Sequence, residues 1–231
     1  MAKHFQREID QTKKRVLSLS AMVEEALRKA VGAVARRDFA LAEEVITADA
    51  VIDQAEVELE EECLKILALH QPVAIDLRFV VVVLKINDEL ERIGDLSANI
   101  ASRGLELRGS APVACPFDYE GMSERAQWML GRGIDALVNL DSDLARQVWF
   151  KDDEVDEIHR GMYGAVKARI RSHPDELEAM IVYLGISRIL ERIADHAKSI
   201  AKDVIYMVEG EIVRHRGREL RALAADQGKG V

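Results

Sequence analysis

The second half of this chain repeats the first, and that repetition limits the possible folds more than any local pattern does. Shifted by 103 positions, Asp38, Leu41, Ala42, Val45, Ile52 and Asp53 fall on Asp141, Leu144, Ala145, Val148, Val155 and Asp156. Further along the shift becomes 100, three residues being lost in a turn. Leu84, Ile86, Glu91, Arg92, Ile93, Asp95, Ile100 and Ala101 then fall on Leu184, Ile186, Glu191, Arg192, Ile193, Asp195, Ile200 and Ala201. The fold must be one that two copies of a single unit can build.

That unit is helical. Val16, Leu19, Val23, Leu27, Ala30 and Val34 recur at three- and four-residue steps, and so do Val45, Ala48, Ile52, Ala55, Leu59, Cys63 and Ile66. Such spacing puts each set on one helix face. Breakers fall at Arg36-Arg37-Asp38, Gln71-Pro72, residues 109–118, Asn139-Leu140-Asp141 and His173-Pro174-Asp175, which cuts the chain into six helices. Aromatics are only 5% of residues, with 4 prolines and 14 glycines, so strand and turn formers are scarce. The expected architecture is all-α, two tandem three-helix bundles of six long helices. The first repeat is expected over residues 1–110 and the second over 111–210, with a polar tail over 211–231. Helix two, from Asp38 to Leu69, should run about 48 Å at a rise of 1.5 Å per residue.

A formal net charge of -9 opposes sequence-independent nucleic-acid binding, which depends on Lys and Arg neutralising phosphates. The longest apolar run, Phe79 to Leu84, is far short of the ~20 residues of a membrane span. Cys63 and Cys115 have no CxxC spacing and read as free thiols in a reducing compartment. A cytoplasmic protein without direct membrane insertion is expected.

Acidic residues are the chemically suggestive feature. Asp49 with Asp53, Glu91 with Asp95, Asp152 with Asp156, and Glu191 with Asp195 each stand four apart, on one face of a helix. Because helices two and three of a unit run antiparallel, their pairs can face one another across the groove beside the core stripe. With 41 acids in 231 residues, about seven such pairs arise by chance, and most are solvated faces or bridges to arginine. Four pairs at repeat-equivalent places are a stronger signal, although a duplicated gene inherits its acids in any case. Two carboxylates ~4 Å apart repel by about 4 kcal/mol at an effective dielectric of 20, so a cation belongs between them. Oxygen-rich donor sets favour Mg²⁺, Mn²⁺ or iron over zinc or copper. Asp88, three residues before Glu91, and His159, which replaces Glu56, are optional ligands.

Catalytic signatures are missing. There is no GxxxxGK[ST], GxSxG or HExxH. A di-iron oxidase needs Glu-x-x-His on two helices, and only Asp156 with His159 comes near. The expectation is a protein that is not an enzyme, with an iron-binding or oxidase-like bundle and a metal-free helical scaffold as alternatives.

The segment QPVAIDLRFVVVVLKINDELERIGDLSANIA, Gln71 to Ala101, and the segment ISRILERIADHAKSIAKDVIYMVEG, Ile186 to Gly210, resemble the PhoU family of phosphate-transport regulators. The resemblance rests on the duplicated E-R-I-x-D, the turn Gln71-Pro72 with Asp76-Leu77-Arg78, and the chain length. It implies paired three-helix bundles about a pseudo-twofold axis and multinuclear metal sites on E(D)-x-x-x-D motifs. The residues concerned are Asp49, Asp53, Glu91 and Asp95, then Asp152, Asp156, Glu191 and Asp195. It further implies non-catalytic signalling between the phosphate ABC transporter and the phosphate sensor histidine kinase, with negative regulation when phosphate is plentiful. A homodimer is also expected. Arg188 at the position of Asp88, and His159 at that of Glu56, set the second repeat apart.

Overall fold

The computed structural model describes residues 2–210, which form six α-helices. These are α1 (Ala2–Arg36), α2 (Phe39–His70), α3 (Ala74–Leu105), α4 (Tyr119–Asn139), α5 (Ser142–Ser172) and α6 (Leu177–Glu209), with one 3₁₀ turn, Pro174–Glu176, before α6. No strand occurs among the described residues. The polar tail expected over 211–231 lies outside them.

The repeat is visible in how the helices start and stop. Arg37 and Leu140, 103 positions apart, both adopt left-handed backbone, φ 54° and 55°, directly after α1 and α4. The amides of Asp38 and Asp141 then close onto Ala33 O and Ala136 O at 2.8 and 2.9 Å. Each aspartate caps the next helix. Asp38 Oδ1 accepts from Leu41 N at 3.0 Å, and Asp141 Oδ1 accepts from Asp143 N and Leu144 N at 3.0 and 2.9 Å. A side-chain oxygen there satisfies amides that have no partner within the helix. Residues 79–95 and 179–195 even share the same burial class at every position.

α1, α2 and α3 pack as one bundle and α4, α5 and α6 as another, with α3 against α6 and α1 against α4 joining the two. α3 and α6 run antiparallel: Lys85 pairs with Asp203, His196 Nδ1 with Glu89 Oε2, and Arg103 lies over Gly185. Lys85–Asp203 and Gly185–Arg103 are the same contact seen from the two sides of a pseudo-twofold axis. The segment between the bundles is held in place. Arg37 donates to Leu107 O and Ser110 O at 2.6 and 2.7 Å, Tyr183 donates to Val113 O at 3.1 Å, and Tyr119 donates to Val31 O.

Every residue of the expected α1 stripe is buried. The α2 stripe needs correction, because Ala48 is exposed and Ala55 only half-buried. The buried residues of α2 are Ala42, Val45, Ile52, Leu59, Cys63 and Ile66, so the spacing holds but the second line of the stripe runs through 49 and 56 instead of 48 and 55. In that seam one line is Val45, Ile52, Leu59 and Ile66, and the other is Ala42, Asp49, Glu56 and Cys63. The seven-residue period keeps a straight seam facing its neighbours. Asp49 and Glu56 therefore stand in the seam itself, where an apolar side chain is the rule. In α5 the matching places are Ala145, Asp152, His159 and Val166.

Candidate metal centre

Asp49 is half-buried on α2, and Asp53 lies one turn on. α3 passes in front of them and brings Asp95 across, so one carboxylate oxygen from each of Asp49, Asp53 and Asp95 lies within 4.8 Å of the others. Gly94 permits the close approach: a Cβ built there would meet Ile52 Cγ2 at 3.0 Å and Asp49 Oδ1 at 3.5 Å. Glu91 belongs to the same field. Burial first, then Asp95, Asp53, Asp88 and Glu56, push its carboxyl above the ordinary glutamate value. Burial first, then Asp53 and Asp95, do the same to Asp49.

Among the described residues Asp49, Asp53, Glu91 and Asp95 have no ion pair with Lys, Arg or His, whereas 19 such pairs form elsewhere. Arg92 turns away and pairs with Asp88 at 3.0 Å on the exposed face. Asp88 thus lies at the margin, acting on Glu91 through its charge. Glu56, next in the seam, is held by Asn87, whose Nδ2 donates to Glu56 Oε1 at 2.8 Å and to Glu56 O at 2.9 Å. Asn87 Oδ1, in a residue only 1% exposed, has no hydrogen-bond partner among the described residues. Hard oxygen donors from two helices, net negative and free of basic side chains, suit Mg²⁺, Mn²⁺ or iron.

The second repeat differs. Asp152 is buried, 2% exposed, and Lys198 on α6 donates to its Oδ2. The oxygens that converge within 4.8 Å are those of Asp152, Asp153 and Asp156, all on α5. Glu191 and Asp195 stay outside that tight group, although burial, then Asp195, Asp156 and Asp152, raise the Glu191 carboxyl. Asp153 was not among the sequence candidates, because its counterpart Ala50 carries no acid and a search by repeat passes over it.

His159 Nδ1 lies 2.9 Å from Ser187 Oγ, and the ring meets Tyr163 edge-on at 5.6 Å. Burial holds its pKa below the usual histidine value, Asp156 opposing and Arg188 reinforcing. His159–Ser187 is the repeat-equivalent of Glu56–Asn87. One helix pair is thus fastened by an amide and a carboxylate, the other by an imidazole and a hydroxyl.

Side chains outside the two clusters have structural places. Cys63 is buried and Cys115 half-buried, both free. Trp149 is buried and Trp128 is 37% exposed. His70 pairs with Glu8 at 2.6 Å where α2 ends.

The model of the PhoU domain matches this chain twice, over residues 16–104 and 119–204. A phosphate-specific transport system accessory protein PhoU homolog of Aquifex aeolicus is 36% identical over 210 residues, 91% of this chain and 95% of that protein. Its counterpart in Pseudomonas aeruginosa is 33% identical over 94% of this chain and 90% of its own length. The crystal structure of PhoU from Pseudomonas aeruginosa superposes with a TM-score of 0.84 at 32% identity, covering 90% of this chain and all of the other. That of the phosphate transport system regulatory protein PhoU from Streptococcus pneumoniae gives 0.81 at 30% identity, covering 90% and 99%. Two domain matches in register with the two bundles, and relatives alike along almost the whole length, establish that this chain belongs to the PhoU family.

Proposed function

We propose that this protein is a metal-binding regulator of phosphate uptake and phosphate-starvation signalling. It works without catalysis, as an adaptor between the phosphate ABC transporter and the sensor histidine kinase. Support for the transport side comes from the relatives, which are named as accessory and regulatory proteins of phosphate-specific transport. Support for metal comes from one observation above the rest: Asp49, Asp53 and Asp95 bring oxygens from two helices within 4.8 Å, and no basic side chain among the described residues pairs with them.

The chain's residues supply binding and positioning. Asp49, Asp53, Glu91 and Asp95 would hold a divalent cation, which contributes positive charge that neutralises them. Gly94 and Ile52 fix how closely α2 and α3 can come, and Asn87 orients the seam glutamate. A cation bound by both helices binds the folded state alone, so it would stiffen this bundle and present a partner with a defined face.

The reading is tested by purifying the protein without chelators, measuring its metal content, and repeating this with Asp53→Asn plus Asp95→Asn. Co-precipitation with the transporter ATPase and with the kinase, in high and low phosphate, tests the adaptor role. Retained metal in the double variant counts against these ligands. Failure to co-precipitate either component under both conditions counts against the adaptor.

A further inference from the structure

The two acidic clusters descend from one unit, yet their surroundings have diverged. Position 98 on α3 is Ala98, and its counterpart on α6 is Lys198, whose ammonium is the partner of Asp152. One turn further, Ser102 corresponds to Lys202, which lies 5.4 Å over the Trp149 ring and within the field of Asp195 and Asp152. Asp88 corresponds to Arg188, which acts on Glu191, and Glu56 corresponds to His159. Arg92 and Arg192 are common to both repeats and do not alter the comparison.

At these matched places the first repeat holds six carboxylates, Asp49, Asp53, Glu56, Asp88, Glu91 and Asp95, and no cation. The second holds five, Asp152, Asp153, Asp156, Glu191 and Asp195, together with Arg188, Lys198 and Lys202. Taking the histidine as neutral, the formal charge is -6 against -2.

We propose that Lys198 is a tethered counter-ion that takes the place of a divalent cation in the second cluster, so that the Asp49–Asp53–Asp95 cluster binds metal more tightly. The inference rests on the reading above that these clusters bind divalent cations. A metal ion entering the second cluster must separate Lys198 from Asp152, whose carboxylate is 2% exposed. It must also leave an ammonium, 19% exposed at the side chain, close to a dication. Removing one partner from a desolvated ion pair is strongly unfavourable, and like charges at short range add to that. The first cluster carries neither penalty, since its carboxylates have no basic partner among the described residues to give up. The two repeats would thus divide their roles: the first bundle is closed by metal on demand, the second by its own lysine at all times.

The test is a Mn²⁺ titration of the chelator-stripped full-length chain, with free Mn²⁺ followed by electron paramagnetic resonance and folding checked by circular dichroism. Wild type is expected to show a tight class of sites that Asp53→Asn plus Asp95→Asn removes. Lys198→Ala is expected to tighten the second class at least tenfold, and Lys198→Gln, which keeps a donor for Asp152 without the charge, carries the comparison if the alanine variant misfolds. The reverse change, Ala98→Lys, should weaken the tight class about tenfold, an effect that loss of packing at position 198 cannot produce. Two classes of equal affinity, indifferent to both lysine changes, would overturn the proposal while leaving metal binding in place. No Mn²⁺ binding by any variant would overturn both.

Discussion

Gly94 on α3 lies so close to Ile52 on α2 that a Cβ on the glycine would stand 3.0 Å from Ile52 Cγ2. In the second repeat the same crossing is made by Ala194 and Val155. One carbon has moved from one helix to the other, and the volume of the contact is conserved, which is the exchange that packed interiors tolerate best. The approach matters to the site because Asp49 and Asp95 flank this contact.

A double-mutant cycle should therefore show strong coupling. Gly94→Ala forces the buried Ile52 aside at a cost of about 1–3 kcal/mol, partly offset by up to ~1 kcal/mol of better helix propensity. Ile52→Val alone costs roughly 0.5–1.5 kcal/mol for the lost methylene. Together they recreate the Ala194–Val155 arrangement, so urea denaturation should give a favourable coupling of about 1–2 kcal/mol. Strictly additive effects would mean that the two side chains do not compete for the same space.

The capping aspartates give a second check on the repeat. Asp38→Ala and Asp141→Ala should each cost about 0.5–2 kcal/mol in urea unfolding. Asp141 serves two amides and Asp38 one, so the change at 141 should be the larger. The reverse order would mean that a substitute partner satisfies the α5 amides.

Acidity should affect the metal-free protein through the same carboxylates. Glu91 and Glu191 are raised above the ordinary glutamate value, by burial first and then by neighbouring acids. Unfolded, such groups titrate near pH 4, roughly, so above that the native state binds more protons than the unfolded chain. Stability from these groups is greatest below the unfolded value and falls as pH rises through the raised native value. Exposed acids such as Glu154 shift the opposite way, so the informative quantity is a difference. In EDTA, Glu91→Gln should gain on wild type as pH rises from 4 to 7, by a few degrees in Tm, and match it at pH 4. Parallel curves would contradict the burial and charge assigned to Glu91.

Much of this fold could be read in the sequence, because helix ends and apolar spacing are local features. The paired turns at Arg37 and Leu140, the capping aspartates and the α1 stripe all follow from short-range rules. α2 was harder. Choosing apolar residues at three- and four-residue steps selects Ala48 and Ala55, whereas the packed seam keeps that spacing through the acids Asp49 and Glu56. An acid in a core line scores as an interruption, although here it is the feature that places a carboxylate between helices. The repeat found Asp49, Asp53, Glu91 and Asp95 and their counterparts, since those positions are conserved between the halves. It also exposed Arg188 and His159, but it passed over Asp153 and the Lys198 partner of Asp152, whose counterparts Ala50 and Ala98 are uncharged. A charge that appears opposite an alanine gains its meaning only once the structure shows which side chains point into the site.

The proposed role of the first repeat turns on a divalent cation between α2 and α3. Crystals of the chelator-stripped protein grown with Mn²⁺ should locate that cation in an anomalous-difference map. A peak is expected at coordination distance from oxygens of Asp49, Asp53 and Asp95, and none in crystals of Asp53→Asn plus Asp95→Asn. Saturating Mn²⁺ with no peak at these three residues, or with one confined to Asp152, Asp153 and Asp156, would overturn that placement.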